Sequence, residues 1–209
     1  MNTYETDEEK VEAIKKWWKE NGFSVVAGVA IGLGAVLGWR QWGEYRDSVA
    51  QQASAAFEQL MAIADAGDGE PALKQAELVA DEYASTSYAA LANLVRARVA
   101  LEAGDSAGAS AALEQTIAQA PDPGIARIAA LRLARILIAE GDLAAAGGIL
   151  EQYDDGGSFG GDFEALRGDI AAAEGRAGEA RQAYQQALAG GAANPKLLQL
   201  KLDNLPPAG

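Results

Sequence analysis

The sequence predicts an all-α chain: one N-terminal transmembrane helix followed by a helical repeat solenoid built from paired helices. Three observations carry that expectation. Phe23 to Trp39 is an uncharged run, strand signals are nearly absent after Arg40, and Gly67-Asp68, Gly104-Asp105, Gly141-Asp142 and Gly175-Arg176 recur at intervals of 37, 37 and 34 residues. The composition narrows the chemistry. The 209 residues hold 17 Lys+Arg, 30 Asp+Glu, no His and no Cys, for a net charge of −13. An imidazole base, a thiolate nucleophile, a Cys/His zinc site and a disulfide are therefore all absent. A nucleic-acid partner is not expected, because phosphate binding needs a basic face. With 7% aromatic residues and 24 Gly, the core is expected to be light and built on Ala.

The apolar run FSVVAGVAIGLGAVLGW is seventeen residues long, near the lower limit for a spanning helix. Its flanks supply the rest. Trp17 and Trp18 stand on one side, and Trp39, Trp42 and Tyr45 on the other. Trp18 to Trp39 spans ~32 Å of helix at 1.5 Å per residue, close to the hydrocarbon thickness with its edges. Indole and phenol rings favour that boundary because one edge is polar and the body is not. A buried helix of a soluble domain would not need aromatic girdles at both ends. A cleaved secretory signal is disfavoured by the acidic lead (Glu5, Asp7, Glu8, Glu9, Glu12) and by the lack of a small-residue cleavage site. The run reads as an uncleaved signal-anchor. Lys10, Lys15, Lys16 and Lys19 precede it and only Arg40 and Arg46 closely follow it, which places the N-terminus in the cytoplasm and, in a Gram-negative bacterium, the C-terminal part in the periplasm. Gly28-x-x-x-Gly32 and Gly34-x-x-x-Gly38 have the spacing that lets membrane helices approach closely, although glycine is common in spans generally. The expected division is a cytoplasmic helix over 1–21, the span over 22–42 and a repeat domain over 43–209.

The cytoplasmic stretch opens on Thr6-x-x-Glu9, a capping box, and carries Val11, Ile14 and Trp18 on one narrow face. That face suits lipid headgroups or a membrane partner; its narrowness slightly favours plain extension of the membrane helix into water.

The repeat extends around each Gly. Seven residues before stand Leu60, Ala97, Ala134 and Gly168; five after, Ala72, Ala109, Ala146 and Ala180; nine after, Ala76, Leu113, Leu150 and Tyr184. The Gly closes the first helix of a pair, small residues on either side let the two helices approach, and the larger residue fills the groove toward the next pair. Pro121 stops the second helix of its unit. This pattern resembles the tetratricopeptide repeat. The unit closed by Gly175 matches most fully, through Gly168, Ala180, Tyr184 and Ala187. The unit closed by Gly67 matches least, with Ala76 in a large-residue position and Glu70-Pro71 at the start of its second helix. Four units beginning near Ala50 would form a short solenoid with a concave face, and Pro195 to Leu205 reads as a capping helix. The insertion DDGGSFGGD at 154–162 reads as a flexible joint; its spacing fits no calcium loop.

Taken together, Tyr4-Glu5, Val11 to Lys16, Glu20-Asn21-Gly22, Gly38-Trp39-Arg40, Leu131 to Arg135 with Ala144-Ala145, Leu166 to Asp169 and Lys201 to Leu205 give the chain a resemblance to the ancillary SecYEG translocon subunit (YfgM-type) family. The resemblance covers nearly the whole chain, with the long insertion and the Ala/Gly-rich body as departures. It implies a single-pass protein of the cell inner membrane with a periplasmic tetratricopeptide-like domain and no catalytic site or cofactor. The implied partners are the SecYEG translocon, a membrane-anchored periplasmic peptidyl-prolyl-isomerase-like chaperone and membrane lipid.

Arg98 and Arg135 lie six residues before their repeat Gly, and Arg132 lies one turn from Arg135. On the first helices of adjacent units these guanidinium groups are candidates to hold an acidic side chain or a C-terminal carboxylate of a partner. The plain alternative is pairing with local acids such as Glu102. Three functions compete: a non-enzymatic adaptor at the translocon that links exported proteins to periplasmic chaperones, a periplasmic holdase-type chaperone binding unfolded clients directly, and a hydrolase using Asp154 and Asp155. The last is disfavoured, because adjacent carboxylates in a Gly-rich loop are poorly fixed for acid–base chemistry.

Overall fold

A computed structural model of the chain describes residues 7–206. The capping box at Thr6 and the Tyr4-Glu5 pair lie outside the described residues. Among the described residues the architecture is all helical: α1 (Asp7–Asp65), α2 (Gly69–Glu82), α3 (Ser87–Glu102), α4 (Ser106–Gln119), α5 (Pro123–Glu140), α6 (Leu143–Tyr153), α7 (Gly160–Ala173), α8 (Ala177–Ala189) and α9 (Pro195–Asp203). The chain divides into two units, Met1–Val49 and Ala50–Gly209.

The first unit is helix throughout its described part, from Asp7 through the apolar run to Val49. Its apolar residues have nothing of their own unit to pack on. Phe23 is 88% exposed and Trp39 80%, and Val26, Val29, Ile31, Leu33, Val36 and Leu37 are exposed too. A helix apolar on every side is stable where the surroundings are also apolar, as in hydrocarbon. This is one helix long and apolar enough to cross a membrane. The aromatic girdles are paired rings, Trp17 with Trp18 at 6.5 Å between centroids and Trp42 with Tyr45 at 6.3 Å.

In the second unit the helices pair in sequence: the end of α1 with α2, α3 with α4, α5 with α6, α7 with α8. All twelve positions marked by the repeat are buried, from Leu60, Ala97, Ala134 and Gly168 to Ala76, Leu113, Leu150 and Tyr184. Each repeat Gly adopts the left-handed backbone the sequence requires of it, with φ of 82°, 81°, 85° and 77° at Gly67, Gly104, Gly141 and Gly175. At each, the next residue's N–H donates to a carbonyl five residues back (Asp105 to Ala100, Asp142 to Leu137, Arg176 to Ala171), which uses otherwise unpaired carbonyls of the first helix. The Asp after the Gly then starts the second helix. Asp105 accepts from Gly108 N at 2.8 Å and Asp142 from Ala145 N at 3.0 Å. A two-residue Gly-Asp turn thus ends one helix and begins the next. Replacing Asp105 or Asp142 by Ala is expected to cost about 1 kcal/mol each, read by thermal denaturation, since each removes an N-cap acceptor. Asp68 makes no such cap, so Asp68→Ala should leave the melt unchanged.

The core is divided. One buried cluster draws on α1, α2 and α3, the next on α3, α4 and α5, the third on α5, α6 and α7, and the last on α7, α8 and α9. Each helix pair therefore completes its core only with the first helix of the next pair, which is why the units stack. At the end of the stack α9 stands in for a fifth unit, burying Leu198 and Leu202 while Leu197 and Leu200 face solvent. Pro121 acts as read: α4 stops at Gln119 and Ala120, the residue before the proline, is extended at ψ 124°. Pro71 leaves α2 intact because it sits in the first turn, where no backbone donor is required.

Candidate docking groove

Arg98, Arg132 and Arg135 share one feature of the fold. Ala97 and Ala134 are buried between helices, so the residue that follows each is rotated ~100° away from the packed face and reaches the rim. Arg132 and Arg135, three apart, lie on one side of α5. Because α3 and α5 are neighbours in the stack, all three arginines line one cavity of about 600 Å³ together with Leu101, Leu113 and Ile136.

The three are not equivalent. Arg98 is engaged within the chain: Nη2 lies 3.3 Å from Asp65 Oδ1 and Nε 3.9 Å from Glu102 Oε1. Glu102 is the local acid the sequence identified; Asp65, at the end of α1, is 33 residues away and no local periodicity marks it. Arg132 and Arg135 have no carboxylate at ion-pair distance among the described residues. Arg132 is exposed over much of its surface, yet partial desolvation of its guanidinium, then the charges of Arg135 and Arg98, lower its pKa from the ordinary arginine value. It remains charged at any working pH, in a neighbourhood that disfavours its charge. Glu140 also lines the cavity without pairing with either arginine.

The same register position is used differently at the ends of the stack. In the first unit it is Met61. In the last it is Asp169, which accepts from Tyr184 Oη at 2.7 Å and from Lys201 Nζ at 2.6 and 2.8 Å. Lys201 also lies 5.8 Å over the Tyr184 ring. Asp169 therefore fastens α9 to the stack, and the arginine stripe is confined to the middle units.

Elsewhere the charges close on themselves. A second cavity of about 350 Å³ is lined by Arg167 and Arg176, but Arg167 Nη1 holds Asp154 at 2.7 Å and Glu164 at 2.6 Å, and Arg176 holds Glu174 and Glu179. In the insertion read as a joint, Asp154 binds Arg167 of α7 and Asp155 binds Arg127 of α5, so guanidinium groups from two helices hold its two leading carboxylates. In the apolar run, a Cβ built on Gly28, Gly32, Gly34 or Gly38 meets nothing within 4 Å. The two glycine pairs point in directions about 120° apart on the helix.

The family model described as the tetratricopeptide repeat-like domain matches residues 15–207. The chain is similar to proteins named ancillary SecYEG translocon subunit: 37% identical over 99 residues to that of Escherichia coli (strain K12), covering 47% of each chain, and 33% identical over 97 residues to that of Haemophilus influenzae, covering 46% of this chain and 47% of that one. The protein of that name from Aggregatibacter actinomycetemcomitans is 33% identical over 96 residues, again 47% of its length. The chain thus spans about half the length of the curated relatives it matches. Glycine-closed helix pairs, a shared small-residue register and a family match from the foot of the apolar helix to the end of the capping helix lead to one assignment: the chain belongs to the tetratricopeptide repeat-like domain family.

Proposed function

We propose that this protein is a non-enzymatic adaptor of the cell inner membrane, associated with the SecYEG translocon. Its N-terminus is cytoplasmic, and its repeat domain, over 43–209, is periplasmic and links exported proteins to periplasmic chaperones, among them a membrane-anchored peptidyl-prolyl-isomerase-like one. The observation that carries this reading is the presence in one chain of an apolar helix whose large side chains are mostly exposed and a stack of glycine-closed helix pairs. The similarity to proteins named ancillary SecYEG translocon subunit supports the translocon as the partner. The lysines ahead of the span and the scarcity of basic residues just after it support the orientation. The mechanism is tethering: a span over 22–42 confines the repeat domain near the channel exit and raises its effective concentration for emerging chains. Gly28 with Gly32 and Gly34 with Gly38 offer two separate faces for close approach by other membrane helices.

A holdase needs contiguous exposed apolar surface. Beyond Tyr45 the exposed large apolar residues among those described are Leu78, Leu101, Leu197 and Leu200, which lie on different helices or at the far end of the stack. This favours the adaptor.

The test is made in membranes. Wild-type protein is expected to stay in the pellet after alkaline carbonate extraction, to have its C-terminus reachable only from the periplasmic side, and to photo-crosslink to the channel from probes placed in the span. Val29→Arg with Leu33→Arg adds roughly 3 kcal/mol per charge at the helix centre and should release the protein into the supernatant. Release of the wild type, or a C-terminus reachable from the cytoplasm, would remove the proposal.

A further inference from the structure

We propose that the cavity between α3 and α5 is a peptide-docking site that takes a polypeptide segment presenting a carboxylate next to an aliphatic side chain, with Arg132 and Arg135 holding the carboxylate and Leu101, the exposed apolar residue of the lining, receiving the aliphatic group. This rests on the reading of the repeat domain as a docking module and names the chemistry that the module recognises.

The argument is one of charge balance. The chain carries 30 acidic side chains against 17 basic ones, so a guanidinium that lacks a carboxylate partner is not short of acids to choose from. The comparable cavity lined by Arg167 and Arg176 shows the ordinary outcome, with each arginine holding two carboxylates. Arg98 follows the same pattern with Asp65 and Glu102. Arg132 and Arg135 do not. They stand side by side on α5, partly desolvated at Arg132, and repel each other and Arg98. Two adjacent guanidinium groups match a carboxylate in charge and in the planar, forked geometry of their donors. A bound carboxylate would also relieve the repulsion between them, which no group of the chain does among the described residues.

The cavity adds the second element of specificity. Leu113 at its base is fully buried, while Leu101 on its wall is 43% exposed. An opening with apolar walls and two unsatisfied cations at the rim fits a short amphiphilic segment better than a free anion, which would gain nothing from the walls. Arg98, neutralised by two acids of the chain, shapes the rim without supplying free charge. The site lies in the middle units only, because Met61 and Asp169 occupy the corresponding places at either end. The ligand is therefore short, spanning one helix-to-helix gap.

The experiment uses full-length protein in lipid nanodiscs and fluorescence anisotropy of a labelled peptide, blocked at both termini, with one glutamate between two leucines. Saturable binding to wild type is expected. It should weaken at least tenfold when the peptide's glutamate is changed to glutamine, and at least tenfold for Arg132→Gln with Arg135→Gln. Lys74→Gln, at an exposed lysine of α2 that pairs with Glu70 away from the cavity, should change it less than threefold. Arg132→Lys with Arg135→Lys should recover part of the loss, since charge returns without the fork. These positions are at the surface, so an unchanged melting temperature checks that each variant is folded. Absence of saturable binding by wild type, or binding that is indifferent to the double Gln variant, would overturn the site. Binding that needs the arginines but requires a free C-terminal carboxylate in place of the internal glutamate would overturn the segment as stated. Crosslinking of the double Gln variant to the translocon through its span is measured in parallel: the adaptor reading stands or falls on that crosslink, and the site on the anisotropy.

Discussion

Tyr184→Ala is expected to destabilise the repeat domain by about 3–5 kcal/mol, the range for emptying a buried aromatic position. Tyr184 is 2% exposed, and it is held from three directions. Its ring lies against Gly168 so closely that a Cβ there would come within 2.5 Å of Cδ1 and Cε1. Its hydroxyl donates to Asp169, and Asp169 in turn accepts from Lys201 of α9. Truncation therefore opens a cavity between α7 and α8 and loosens the cap at once. Tyr184→Phe keeps the ring and leaves Asp169 its lysine, so its cost should be nearer ~1 kcal/mol. Gly168→Ala overpacks the same contact and should cost ~1–3 kcal/mol alone. In the Tyr184→Ala background the added methyl meets no ring, and the substitution should become neutral or favourable. Additive costs in that double-mutant cycle would show that the two residues do not interlock. Burial first, and the bond to Asp169 second, raise the Tyr184 pKa above the ordinary tyrosine value. The folded state thus holds this proton when the unfolded chain releases it. The associated stability is complete below pH ~10, the unfolded tyrosine value, and falls as pH rises above it. Tyr184→Phe should remove that part of the alkaline loss of stability.

The sequence made the repeat legible because its signals are local. A Gly that ends a helix, small residues five after and seven before, and an apolar run with aromatic flanks can each be read within one or two turns, and the buried positions follow from them. The Gly-Asp caps are local as well, since an Asp opening a helix is an N-cap signal. What stayed hidden depends on the stacking. Asp65 meets Arg98 only because α1 lies beside α3, and Lys201 meets Asp169 only because the cap folds back on α7. The same holds for the groove. The spacing of Arg98, Arg132 and Arg135 from the repeat glycines placed them on one side of adjacent units, but that Arg98 is neutralised while its neighbours are not depends on which acids the stack brings near. Asp154 and Asp155 show the reverse case. As sequence they read as a loose loop, whereas the fold sets arginines from α5 and α7 against them.

Gly161→Ala should be the more severe of two neighbouring substitutions that look identical in sequence. Gly160 and Gly161 both lie in the first turn of α7, and both would gain helix propensity from a methyl group. At Gly160 a Cβ meets nothing within 4 Å, so Gly160→Ala should be neutral or stabilise by about 0.5–1 kcal/mol through the loss of backbone freedom in the unfolded chain. At Gly161 a Cβ would lie 2.6 Å from Ala192 N and 2.8 Å from the Gly190 carbonyl oxygen. Those are backbone atoms of the turn between α8 and α9, and no rotamer change can move them. The turn is also tied to α7 by the Ala193 N–H, which donates to Asp162 at 3.2 Å, and Gly191 holds it in the left-handed region at φ 73°. Gly161→Ala must therefore lift the turn off α7 or displace the start of α7, at a cost of about 3 kcal/mol. Because each helix pair completes its core with the next element, the damage should spread from α9 inward. Amide exchange should lose protection first in α9 and α8 while α2 and α3 keep theirs, and the melt should broaden at its low-temperature side as the last unit frays before the others. Equal melts for Gly160→Ala and Gly161→Ala would mean that the α8–α9 turn does not rest on Gly161, and that α9 is held to the stack by Lys201 and its two buried leucines alone.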